Sequence, residues 1–175
     1  MSTELARKTG GLPEPKSQWI AVIRVRGTVN VRRDVDYTLK LLRLHKPNHC
    51  IVTRYTPSVR GMLIKAQHKI AWGEIDLDTF YLLLKERGRI VGNKPLTDDV
   101  VKEKTGGKYS SIRELAEAIW NGDITFQELN WLKPVFRLHP PKGGGYRRSV
   151  RRLYQEGGAL GYWGPNIVNL IRRMI

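Results

Sequence analysis

The chain has 175 residues, 41% of them hydrophobic, with 31 Lys and Arg against 16 Asp and Glu, for a net charge of +15 and a pI near 10.2. That length holds one domain with a real core, or a compact core with a sizeable elaboration. No apolar run reaches the roughly 20 residues that span a bilayer, the first residues lack a signal-peptide core, and a lone cysteine, Cys50, cannot close an intramolecular disulfide. The expectation is a reducing, cytosolic compartment.

The charge is unevenly spread. Residues 1–16 carry +1, 17–76 carry +7, 77–131 carry −1 and 132–175 carry +8. Two basic flanks around a nearly neutral middle suit a polyanion met by the flanks, with a middle that packs or projects. A solvated surface or an anionic membrane would be the plainer account. The charge is rich in arginine and broken by glycines and aromatics, with no basic amphipathic helix, and this favours nucleic acid.

In chain order, residues 1–16, with Gly10, Gly11, Pro13 and Pro15, have no apolar period and read as a flexible arm. Residues 19–26 alternate, with Ile20, Val22 and Arg24 on one face and Trp19, Ala21, Ile23 and Val25 on the other. This predicts a strand with one side in the core and arginines reaching out near its end. After Gly27, Asn30 is expected to cap a helix with Val31, Val35, Leu39 and Leu42 on one face, running to Lys46, Pro47 and Asn48. Residues 49–55 read as a second strand. Thr56 and Pro57, a capping hydroxyl and a proline at the first helical position, start a second helix to about Gln67. Residues 69–75 form a third strand. Strand, helix, strand, helix, strand predicts an α+β unit with both helices on one face of a small sheet.

From Asp76 helices follow one another. Phe80, Leu83 and Leu84 have helical spacing before Gly88, and Thr97 caps a short segment ending at Gly106. Ser111 with Glu114 and Thr125 with Glu128 have the spacing of capping boxes. Residues 135–139 predict a short strand. Residues 143–145 are all glycine, and Pro165 starts a last helix whose Ile167, Val168, Leu170, Ile171 and Met174 form an apolar face docking back on the body. The organisation expected is an arm at 1–16, an RNA-binding α+β core at 17–76, a helical insert at 77–131 and a basic extension at 132–175.

Catalytic chemistry is thinly represented. His45 and His49 are separated by Pro47 and do not share a helix face as metal ligands would. The TGGKYS run at 105–110 lacks the first glycine and the magnesium-binding hydroxyl of a phosphate loop, and EGGALG at 156–161 has no strand leading into it. Asp34 and Asp36 are first-turn helix acids. Nucleic-acid binding has wider support. Arg24, Arg26, Arg32 and Arg33 surround the end of the first strand, and Arg54, Arg60, Lys65 and Lys69 flank the second helix. Gly61 beside Arg60 suits close approach of a phosphate backbone, although it equally suits close packing of helix on sheet. Arg137, His139, Lys142, Arg147, Arg148, Arg151 and Arg152 add cations after the insert, with Tyr146 placed to stack on an unpaired base.

Thr56, Pro57, Arg60, Gly61 and Met62, preceded by WIAVIRVRG at 19–27, resemble the core of the ribosomal protein L-thirty family, whose longer archaeal and eukaryotic branch includes the eukaryotic protein L-seven. The likeness continues through KIAWGEI (69–75), SIRELAEAI (111–119), ITFQEL (124–129), LHPPKGG (138–144) and EGGALG (156–161). It implies the same compact fold, and a structural protein of the large ribosomal subunit that binds large-subunit ribosomal RNA by phosphate and shape contacts. The helical insert would face solvent, another large-subunit protein or a peripheral RNA, and no catalytic residue, metal, cofactor, membrane or small-molecule substrate is expected. The resemblance supplies the word ribosomal; charge and pattern alone reach RNA-binding. They leave open a free-standing RNA chaperone or double-strand-binding regulator, and a nuclease using His139 or His68.

Overall fold

The computed structural model describes residue 15, residues 18–143 and residues 149–175. Nearly all of the expected N-terminal arm therefore lies outside the described residues. The fold is built on a five-stranded sheet in the order β4-β2-β1-β3-β5. At its centre β1 (Trp19–Arg24) is antiparallel to β2 (His49–Arg54) and to β3 (Ile70–Glu74). Two short edges close it: β4 (Phe136–Arg137) is antiparallel to β2, and β5 (Gly161–Tyr162) is parallel to β3. Edge strands of two residues offer little unpaired backbone to other chains.

One face of the sheet presents Ile20, Val22, Ile51, Ile70 and Trp72 to α1 (Arg33–Leu41) and α2 (Pro57–Ala66), whose Leu39, Leu63 and Ala66 are buried against it. Both early helices thus share one face, as the element order predicts. Trp72 stacks on Tyr55, and Tyr162 of β5 packs on it with ring centroids 4.7 Å apart. Thr56 caps α2 by accepting from the Val59 N–H at 3.2 Å. A run without acidic residues fills its first turn, so the positive end of the helix dipole is not offset there.

The other face is not left open. Trp19, Ala21, Ile23, Val52 and Ala71 share a core with Phe80, Leu83 and Leu84 of α3 (Leu77–Arg87), Leu115 and Ile119 of α5 (Ile112–Asn121), and Ile167, Leu170, Ile171 and Met174 of α6 (Ile167–Met174). Every residue of β1 is buried. The expected strand with one solvent-facing side is replaced by a central strand between two helical layers, and α3 and α5, from the middle of the chain, pack on the sheet. Gly73 makes that covering close: a Cβ there would strike the Gly164 carbonyl and press on Ile167, where the chain enters α6. The cap expected at Thr97, for α4 (Asp98–Lys104), is present as a bond from the Val100 N–H, and Asp76 caps α3 in the same way through the Thr79 N–H. At α5 the Ser111 hydroxyl accepts from Glu114 N–H, while the Glu114 carboxylate takes the Ser110 N–H and hydroxyl. Those bonds hold the Glu114 carboxyl below the usual range.

Two expected helix starts fail. Asn30 sits in the left-handed region with φ 53° and shapes a turn, and α1 begins two residues beyond Val31, with Arg32 at a cap that makes no side-chain bond. Asparagine tolerates that conformation, so the same residue type serves either role. Helix α1 also stops early, at Leu41, where Arg43 turns the chain with φ 58°. At Thr125 the hydroxyl bonds the Glu128 carboxylate, but only one turn follows. Leu129 and Leu132 are drawn into the core, and Pro134 disfavours helix at the residue before it.

Candidate nucleic-acid interface

Strand register sorts the expected binding residues by end of the sheet. Arg24 opposes Ile70, Ile23 opposes Cys50, and His49 opposes Arg137, so these lie at one end; Trp19, Arg54 and Glu74 lie at the other, about 17 Å away at ~3.3 Å per residue. The fourteen expected binding residues that are described do not form one patch.

Arg24 requires a correction. Its side chain is 1% exposed, and it shares the inner face with Ile20 and Val22. Nε donates to the Arg26 carbonyl at 3.0 Å, Nη1 to those of Leu44 and His45 at 2.7 and 3.1 Å, and Nη2 to that of Gly27 at 3.3 Å. The guanidinium thus ties together the two ends of the excursion that carries α1, which explains why the chain peels out of the helix before Leu44. It does not reach outward to a ligand. Burial lowers its pKa, with Asp36 opposing the shift.

Around it the end of the sheet is strongly positive. Arg26, half-buried, bonds back to the Lys69 carbonyl through its N–H and to the His68 carbonyl through its guanidinium. Lys69 is pushed below its ordinary pKa by burial and then by Arg26 and Arg24. His49 is pushed down by burial and then by Arg137, His45, Lys46 and Arg24. In both cases each charged neighbour that acts is a cation. Such a site is costly for protons and favourable for an incoming anion. Arg137 and His139 are exposed at this end, with the His139 N–H held by the Met174 carbonyl at 2.8 Å. Lys142 is exposed and its carbonyl accepts two bonds from the Arg173 guanidinium.

Along α2, Gly61 is exposed and a Cβ there would meet nothing within 4 Å. The close-packing account of this glycine is therefore excluded: a side chain there would enter open space. Arg60 sits half-buried beside it. Lys65 is exposed and lies 4.0 Å from Asp34, which also pairs with Arg32 at 3.4 Å; Arg33 is exposed. Arg54 turns to the opposite side. Its guanidinium lies 5.1 Å from the Trp19 ring, and a Cβ at Gly122 would strike it, so one flat face of the group is used in holding α5 to the sheet. Arg151 and Arg152 are exposed. Tyr146, Arg147 and Arg148 lie outside the described residues.

The positive residues passed over by sequence reasoning are His45, Lys46, His49 and Arg173 at the basic end, and Arg87 and Arg89 at the close of α3. His45 and Lys46 precede β2 and His49 opens it, which was a usable signal; Arg173 lies in the last turn of α6, and Arg87 and Arg89 follow Glu86 in a segment of nearly zero net charge.

A two-sided sheet with an electropositive end and a side-chain-free spot on its outer helix defines a basic α+β protein of the polyanion-binding class. The family model described as ribosomal protein L30p/L7e matches residues 20–70. The large ribosomal subunit protein uL30 of Staphylothermus marinus is 50% identical over 158 residues, covering 89% of this chain and 97% of its own. Those of Hyperthermus butylicus and Methanocorpusculum labreanum are 50% identical over 163 residues and 47% over 154, covering 89% and 88% of this chain and 89% and 98% of theirs. The chain belongs to the uL30 family.

Proposed function

We propose that this protein is a structural, non-enzymatic constituent of the large ribosomal subunit in the cytoplasm, and that it binds large-subunit ribosomal RNA through phosphate and shape contacts. Its relatives carry the name of that subunit. The observation that carries the contact surface is Gly61. A glycine inside a helix costs about 0.5–1 kcal/mol relative to alanine, and here nothing in the described protein requires it. Close approach of an outside backbone at the positive end of α2, beside Arg60, gives it a reason. Arg26, Lys69, Arg137, His139 and Lys142 extend the surface across the basic end of the sheet, and Arg151 and Arg152 supply further phosphate contacts. Neighbouring large-subunit proteins would meet surfaces that RNA leaves uncovered.

The test is Gly61→Val in the full chain. The free protein should fold as the wild type does, because the added side chain enters open space. Affinity for large-subunit ribosomal RNA should fall roughly tenfold, equivalent to about 1.4 kcal/mol, and incorporation into large subunits should drop with it. A Gly61→Val protein that binds and assembles normally would remove α2 from the interface. Absence of the wild-type protein from purified large subunits would overturn the ribosomal reading itself.

A further inference from the structure

We propose that the cleft between the end of α3 and β4 is a second binding site for RNA backbone phosphate, made by Arg87 and Arg89 with Arg137 and His139. This rests on the reading above and adds Arg87 and Arg89, on the side of the sheet that α3 covers, to the Arg137 and His139 already placed on that surface. The cleft holds about 360 Å³ and is lined by those four side chains, Asn93 and Leu138, with no carboxylate in the lining among the described residues. Arg87 Nε is screened from water and has no hydrogen-bond acceptor among the described residues. A buried donor of that kind is a standing cost, which a turn of the Arg87 side chain toward a phosphate oxygen in the cleft would remove. Arg89 donates from Nη1 to the Gly88 carbonyl at 3.0 Å, a bond that fixes the group without neutralising it. Asn93 is held with φ 64° in a turn closed by Asn93 N–H to the Ile90 carbonyl and Ile90 N–H to the Lys94 carbonyl, and this brings its amide to the rim.

The surroundings favour an anion. Arg137 stands opposite His49 across the β2–β4 pair, and His49 resists its proton because of burial and of the cations around it. A guanidinium fork suits a carboxylate as well as a phosphate, so an acidic protein segment has to be weighed. Continuity favours RNA. The His139 N–H is held by the Met174 carbonyl and the Lys142 carbonyl by the Arg173 guanidinium, so the cleft adjoins the end of α6, where Arg172 and Arg173 are exposed. A row of positive groups matches a polymer with one negative charge per nucleotide.

Two measurements on the full chain test the site. The double variant Arg87→Gln/Arg89→Gln should bind large-subunit ribosomal RNA of the same organism more weakly, with the slope of log affinity against log salt shallower by about 0.7–0.9 for each phosphate that the variant no longer neutralises. Lys102→Gln, on exposed α4, should leave affinity and slope unchanged. In the second measurement Val91→Cys, at a position 64% exposed on the turn beside the cleft, carries a tethered hydroxyl-radical source; Cys50 is fully buried and stays unlabelled. Reconstituted into large subunits, it should cut a discrete stretch of ribosomal RNA. A normal slope in the double variant, or no RNA cut from position 91, overturns the cleft while leaving Gly61 and α2 in place. A double variant that binds RNA normally yet fails to join the subunit assigns the cleft to a protein and also overturns the proposal. Failure of the wild type to bind the RNA at all overturns the underlying reading instead.

Discussion

Replacing Arg24 with methionine separates a structural arginine from a binding one. Methionine keeps much of the stem's packing but removes four donated hydrogen bonds. The bond to Leu44 is fully buried, so its carbonyl would be left without a partner at a cost of about 1–3 kcal/mol; the three partly buried bonds contribute about 0.5–1.5 kcal/mol each before water replaces some of them. A loss of roughly 3–5 kcal/mol results, against the 5–15 kcal/mol typical of a whole domain. Equilibrium unfolding in urea reads this directly: with a slope of about 1–3 kcal/mol per molar, the midpoint should fall by roughly 1–5 M. Arg24→Lys should recover part of the loss, since one ammonium cannot span all four carbonyls. Arg26→Met, which gives up a single exposed bond at 3.4 Å, should cost no more than about 0.5 kcal/mol and should weaken RNA binding. The reasoning is refuted if Arg24→Met keeps wild-type stability within about 1 kcal/mol and loses RNA binding, for then the guanidinium serves the ligand and not the loop.

Gly73→Ala should destabilise the free protein by about 1–3 kcal/mol, because the methyl group collides with the Gly164 carbonyl and Ile167; calorimetry showing an unchanged melting temperature would mean that α6 is not seated on β3. For His49, burial and the cations beside it lower the native pKa from 6.5, so the unfolded chain binds a proton there before the native protein does. Its contribution to stability is present above the unfolded pKa of about 6.5 and is lost as pH falls through that value toward the lowered native one, so melting temperature should drop as pH falls below about 6.5. His49→Gln should flatten that dependence, and an identical pH profile in the variant would remove His49 as its source.

Chemistry that acts within one turn of chain was legible. The caps at Thr56, Thr97 and Ser111 each depend on a side chain and an N–H three residues on, and all three bonds are present. Where the same residue types serve two local structures, tertiary demands decided: Asn30 became a left-handed turn, and Thr125 opened a single turn cut short by burial of Leu129 and Leu132. The two-sided burial of β1 was also written in the chain. Trp19 to Val25 is apolar at every position except Arg24, a pattern of a strand covered on both faces rather than of one with a solvent side.

The binding surface was harder to read because charge counts carry no direction. Arg24 alternates in phase with Ile20 and Val22, and that phase points it inward, whatever its sign; counting it among neighbouring arginines hid this. Gly61 had two accounts of equal standing in the sequence, and only the fold, by leaving its outer side empty, removes one of them. Arg87 and Arg89 present the reverse case. The segment 77–131 sums to −1, yet Asp98, Asp99 and Glu114 lie at the starts of α4 and α5 while these two arginines sit where α3 ends, in a cleft lined with Arg137 and His139 from beyond residue 132. A sum over sequence cancels charges that the fold keeps apart, and the electropositive cleft exists because helix direction, set by β3 feeding α3 from one end of the sheet toward the other, carries those arginines to the end where Arg137 and His139 already stand.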